Sequence, residues 1–161
     1  MKTPAAGAIA RRVARARAGQ DPDLLARMPS GFAVLGKYQP GPIRGSCMLF
    51  PDRVVSSPND LSPADRARFF GDLVLLGDAI LEVTGAERIN YLVLCNQVPE
   101  LHGHCVPRFA SEDPARRLQG PFEAYDFAAA PVADARGADR ELHRALQAAL
   151  TRLLGGYTRP G

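Results

Sequence analysis

Glu100, His102 and His104 stand at alternate positions in the segment ELHGHCVPR. On an extended strand alternate side chains share one face. That face would carry a carboxylate and two imidazoles, a set costly to hide beneath a packed helix. The opposite face would carry Leu101, Gly103 and Cys105, which suit a core. The chain has three histidines, and two of them are here. The spacing alone leaves three readings open. Neutral imidazole is a common metal ligand, and two histidines with a carboxylate could begin a metal site, although no distant further ligand stands out. One ring could instead attack phosphorus while its neighbour offsets the developing charge. In the third reading a partly buried pair satisfies its own hydrogen bonds and does no chemistry.

The elements that must position these residues are legible from periodicity and turn chemistry. Residues 5–18 predict an amphipathic helix through Ile9, Val13 and Ala16, and Pro22 to Met28 predict a second, short one. Phe32 to Lys37 and Ser46 to Phe50 read as strands, joined through Pro40, Gly41, Pro42 and Gly45. A long helix follows. Ser62 can cap it, Pro63 suits its first position, Asp65 stands three residues after the cap, and Gly85 can close it. Phe69, Phe70, Leu73, Leu76, Ile80 and Leu81 recur along it, while Gly71 and Gly77 point to close packing. RINYLVLC and LHGHCVPRF read as two further strands, with Tyr91 packing under the long helix. Residues 111–137 show no sustained period and read as a flap or tail. A last helix carries Leu142, Leu146, Leu150 and Leu153, with His143 at its surface. The order fits an α+β fold with an antiparallel sheet of about five strands. The expected organisation is one domain over 1–161, with its core at about 30–110, a helical extension over 1–29 and a loop and helix over 111–161.

Bulk properties narrow the function classes. No apolar run approaches the roughly 20 residues of a membrane span, and the basic N-terminus lacks the apolar stretch of a secretory signal. That N-terminus is also acid-free up to Asp21, as a transit peptide would be, but its helical apolar spacing favours a helix lying on the domain. Cys47, Cys95 and Cys105 form no CxxC pair, so reduced core thiols in the cytosol are expected. The net charge of +3 is modest. Arg11, Arg12, Arg15 and Arg17 cluster without interleaved aromatics, which favours a solvated helix face over a nucleic-acid site. Arg116 and Arg117 could fold back onto phosphate; two solvated loop arginines are the plainer reading.

GAERINYLVLCNQVPELHGHCVPRF resembles the histidine-triad family, whose signature is three histidines alternating with apolar residues, often followed by Pro-Arg. The hairpin ending in MLFPDRVV, then NDLS, the long helix and the G-x-x-R-I-N stretch agree with it. The similarity runs from about Phe32 to Phe109, and it resembles a bacterial branch described as diadenosine-polyphosphate or nucleotide hydrolases. The resemblance implies a nucleotide hydrolase or nucleotidyl transferase acting at an α-phosphate through a nucleotidyl-histidine intermediate, with a non-catalytic nucleotide-binding module as the alternative. It makes His102 the nucleophile and His104 the residue that contacts phosphate oxygens. Asn90 would line the site, and Asn96 and Gln97 would reach phosphate or ribose. Arg108 would be structural. It further implies a homodimer; a cytoplasmic protein is expected from the cysteines, and no metal site and no required cofactor are expected, with a divalent cation such as Mg2+ compatible with a polyphosphate substrate. Two residues depart from the pattern. Glu100 replaces the first histidine, where it could serve as an acid for the leaving group. Lys37 stands where many members carry an acid that holds ribose hydroxyls; it cannot accept those bonds but could attract phosphate.

Overall fold

The computed structural model describes residues 7–157, so the first two positions of the helix expected over 5–18 lie outside the described residues. Helix α1 (Ala8–Arg17) buries Ile9, Val13 and Ala16, the apolar stripe that its sequence spaces. The stretch read as a second helix is instead a strand, β1 (Leu24–Met28). It forms a tight antiparallel hairpin with β2 (Gly31–Leu35), pairing Met28 with Gly31 and Leu24 with Val34, with an irregularity between Leu24 and Ala26. Strand pairing overrides local helical preference here. Gly31 permits the close approach, because a Cβ on it would lie 1.9 Å from the Phe50 carbonyl oxygen. Strand β3 (Cys47–Pro51) pairs antiparallel with β2.

Helix α2 (Pro63–Thr84) begins and ends where its caps place it. The Ser62 side chain accepts the Asp65 N–H at 3.1 Å, and Gly85, at a φ of 69°, donates to the Leu81 carbonyl at 3.0 Å. Phe69, Leu73, Leu76 and Ile80 are buried, but Phe70 turns outward. The expectation of close packing holds at Gly77, where a Cβ would meet the Tyr91 ring and hydroxyl, and fails at Gly71, which faces open space. Strand β4 (Arg88–Leu92) is shorter than its apolar run. Strand β5 (Gly103–Arg108) starts two residues later than the sequence indicated, leaving Leu101 and His102 just before it. Beyond it come two single-turn helices, α3 (Pro114–Arg117) and α4 (Pro121–Ala124), and then α5 (Arg140–Tyr157). Leu146 and Leu150 of α5 are fully buried. His143, expected at the surface, is buried too, and its Nε2 has no hydrogen-bond partner.

The sheet order is β1-β2-β3-β5-β4, antiparallel throughout. Strand alternation divides its faces. Ala33, Leu35, Cys47, Leu49 and Cys105 join α2 and α5 in the main core. Phe32, Val34 and Phe50 point the other way, beneath α1. On that second face Val106 packs with Ile43, Ala124 and Tyr125, under the segment that follows β5. His104 alternates with Cys105, so it belongs to the second face. Among the described residues no helix is long and apolar enough to cross a membrane.

Candidate active site

β5 lies between β3 and β4, so His104 sits on an interior strand, directly opposite Met48 on one neighbour and Leu92 on the other. His102 stands in the turn that feeds β5 and is buried. The two rings meet edge to face, 5.0 Å between centroids. His102 Nδ1 lies 2.7 Å from the Glu100 carbonyl oxygen. A carbonyl only accepts, so the bond requires a proton on Nδ1; in the neutral ring Nε2 is then the unprotonated nitrogen. His104 has a pKa lowered to about 4, first because burial strips solvent from its charged form and then because of the His102 ring beside it. The His104 ring is therefore neutral at pH 7 and able to donate a single N–H.

Both histidines line a cavity of ≈ 790 Å³. Lys37, Asn96 and Gln97 line it too, so three of the four substrate-contacting residues read from the sequence share the site. Asn90 does not line it. Its side-chain oxygen accepts from Arg108 Nη1 at 2.8 Å. Glu100 is also turned elsewhere: its carboxylate accepts N–H bonds from Gly7 (3.0 Å), Ile9 (2.7 Å) and Ala10 (3.3 Å) at the start of α1. The alternation that put Glu100 on the histidine face assumes a strand, and the strand begins only at Gly103. Among the described residues no group of three His, Cys, Asp or Glu side chains is placed to hold a metal ion.

Several cavity residues escape the sequence reading. Arg12 comes from α1, where it pairs with Asp21 at 3.1 Å and lies over the Phe50 ring. Phe122 and Phe127 come from the aperiodic segment. Phe122 stacks edge to face on His104 at 5.2 Å and on Phe127 at 4.7 Å. Cys95 is a cavity residue as much as a core thiol: its backbone has a φ of 55°, and its Sγ lies 3.7 Å from the His102 carbonyl. Cys105 does point away, into the core, with its Sγ 3.3 Å from the Leu73 carbonyl. Burial pushes the Cys47 and Cys105 thiols up, which makes them inert.

The segment bearing Phe122 is fastened from β5. Arg108 is buried, forks onto Glu112 at 3.0–3.1 Å and donates to the Arg116 and Gln119 carbonyls. Tyr125 donates its hydroxyl to Glu112 at 2.9 Å. Burial alone would raise the Glu112 carboxyl, but Arg108, the Phe109 N–H and Tyr125 together hold it below the ordinary range. Arg108 is thus structural. Arg116 and Arg117 do not reach the cavity; the first lies over the Tyr125 ring and the second pairs with Glu87.

Solved structures share this architecture. A histidine-triad protein from Sinorhizobium meliloti matches with a TM-score of 0.63 and 23% identity over 88% of this chain and 93% of its own. One from Bradyrhizobium japonicum matches at 0.65 and 19% over 80% and 91%. The chain has the histidine-triad fold. A hypothetical histidine-triad nucleotide-binding protein from Sulfolobus tokodaii has the same fold, with a TM-score of 0.66 and 12% identity over 88% and 91%. No family model matches the sequence, and no curated protein does.

Proposed function

We propose that the chain binds nucleotides and acts at an α-phosphate, as a hydrolase or nucleotidyl transferase, through a nucleotidyl intermediate on His102. The observation that carries this reading is the 2.7 Å contact between His102 Nδ1 and the Glu100 carbonyl, which fixes the tautomer a nucleophilic Nε2 needs. The same cavity holds Lys37, Asn96 and Gln97, suited to phosphate and ribose, and the histidine-triad fold includes a protein described as nucleotide-binding.

In this mechanism Nε2 of His102 attacks the α-phosphorus and forms a P–N bond as the bond to the leaving group breaks. The leaving oxygen takes its proton from solvent, because the Glu100 carboxylate is engaged by three N–H groups of α1. Water, or another acceptor hydroxyl, then attacks phosphorus and gives up its proton to solvent. The P–N bond breaks and Nε2 regains its lone pair, releasing the nucleotide product. His104, neutral because its pKa is about 4, donates one hydrogen bond to a phosphate oxygen as charge builds. A divalent cation such as Mg2+ bound to a polyphosphate substrate would lower its charge, and no step requires it.

Intact-protein mass spectrometry after brief incubation with AMP, GMP and UMP conjugates tests the proposal. An acid-labile adduct on His102, lost in His102→Asn together with turnover while ligand affinity persists, is the expected result. Full activity of His102→Asn overturns the mechanism. The departures at Glu100 and Lys37 favour one alternative, a nucleotide-binding module without turnover; nucleotide affinity with no adduct and no effect of His102→Ala would establish it. The implied homodimer would pair α2 and edge strand β4, which leave Phe70, Val74 and Tyr91 exposed. Sedimentation equilibrium distinguishes it from a monomer.

A further inference from the structure

Among the described residues, helix α1 lacks the usual supports at its start. Its N-cap is Gly7, no side chain at that position caps it, and its first turn holds no acid. A helix of ten residues is marginal by itself. Its first N–H groups are met instead by Glu100, at least ninety residues away in sequence. A carboxylate at this end lies at the positive pole of the helix and accepts charge-assisted bonds. The same residue's carbonyl holds His102 Nδ1. Residue 100 therefore touches the helix through its side chain and the histidine through its backbone.

We infer that Glu100 is a positioning residue that clasps α1 as a wall of the histidine cavity, in place of the first histidine of the triad pattern. A neutral imidazole offers one acceptor nitrogen and could not meet three N–H groups, so the acid at this position and the presence of α1 explain each other. Once clasped, α1 packs Ile9, Val13 and Ala16 on Phe32, Val34 and Phe50, and it brings Arg12 to the cavity. Arg12 is held there by Asp21, itself almost wholly buried. The role of His102 in this account rests on the proposed function. The clasp does not.

The test uses the full chain with Glu100→Gln and Glu100→Asp. Glutamine keeps one acceptor oxygen but turns an NH2 toward backbone donors; aspartate keeps the charge on a shorter arm. One readout is amide hydrogen exchange at Ile9 and Ala10, referenced to Leu49 and Cys105 in the sheet. The other is steady-state hydrolysis of the p-nitrophenyl esters of AMP, GMP and UMP. In Glu100→Gln, exchange at Ile9 and Ala10 should quicken by about tenfold or more while the sheet amides stay unchanged. KM should rise about tenfold with kcat within about threefold, since the residue-100 carbonyl still holds His102. Glu100→Asp should restore part of both. Unchanged exchange in Glu100→Gln overturns the clasp. So does unchanged KM with a kcat loss of about a hundredfold, which would make Glu100 a chemical acid. Faster exchange without any change in KM would overturn the wall. Should Glu100→Gln unfold globally, its sheet amides would quicken equally, and Glu100→Asp decides on the same criteria. Absence of wild-type turnover would count against the proposed function alone, because the exchange readout still judges the clasp.

Discussion

Two walls of the histidine cavity are fastened in opposite ways. The α1 wall is an amphipathic helix whose Ile9, Val13 and Ala16 pack on the sheet, trimmed at its start by the Glu100 carboxylate. The wall bearing Phe122 has only two single-turn helices, with Ala124 and Tyr125 packed on Val106. It hangs on one buried ion pair, Arg108 with Glu112, which gathers Tyr125 and the Arg116 and Gln119 carbonyls. A wall made by periodic packing gives way gradually when trimmed. One made by a buried polar network fails when any member is lost, because each lost partner strands a buried charge.

The largest expected effect follows from that contrast. Arg108→Met should lower stability by about 3–5 kcal/mol, because it leaves Glu112 buried without its cation. Replacing both residues, as Arg108→Met with Glu112→Leu, should recover much of the loss. Urea unfolding of the single and double variants checks this. A single-variant loss below about 1 kcal/mol would mean that the second wall is held by packing, as the first is.

His104 reports on the same wall from beneath. Its neutral form is favoured in the folded state, so its folded pKa of about 4 lies below the ordinary 6.5. Between these values the unfolded chain binds more protons, so stability falls as pH drops from about 6.5 toward 4. The loss from pH 7 to 5 should be about 2 kcal/mol at most. His104→Phe should remove that slope. In Phe122→Ala the His104 ring gains solvent, and its pKa, read by NMR, should rise toward 6.5. An unmoved pKa would show that Met48 and Leu92, not the Phe122 wall, keep the ring dry.

The same contrast explains what the sequence could disclose. The stripes of α1 and α2, the Ser62 cap and the Gly85 terminus are local, and each is found as its spacing indicates, Phe70 excepted. His102 and His104 were legible because two of three histidines fall two residues apart. β1 was misread because Leu24–Met28 is defined by its pairing with β2, which local spacing does not encode. Strand parity places Glu100 near the chemistry, and the family resemblance places Asn90 there. Glu100 precedes β5, and Asn90 lies on β4 with its side chain held by Arg108. Phe122 and Phe127 carry no periodic signal, since a buried arginine on β5, and not an apolar stripe, fastens the segment that sets Phe122 over His104 and Phe127 on Phe122. Arg12 was visible as charge, but its delivery to the cavity depends on how α1 is seated.

A packed wall should yield in proportion to what is trimmed. Val13 is 1% exposed and makes α1's central contact. Val13→Ala should cost about 1–2 kcal/mol, the transfer of its buried methyls. The loss should be confined to α1, so hydrogen exchange should quicken there while the sheet resists. A cooperative loss across the sheet would mean that α1 is part of the main core and not a separate wall.

The smallest effect is expected at the other end of α1. Arg17 and, from β1, Arg27 both donate to Asp52, and those hydrogen bonds hold its carboxyl below the ordinary carboxylate range. The direction implies a contribution present above that range and lost as pH falls through it. Yet all three side chains are at least a third exposed, so solvent screens most of the benefit, and Asp52→Asn should cost no more than about 0.5 kcal/mol. The difference should shrink further in 1 M salt. KM should stay at the wild-type value, because Asp52 touches the helix end remote from Glu100. Were Asp52→Asn to raise KM as Glu100→Gln does, the seating of α1 would depend on its whole length, and the clasp at its start would lose its special place.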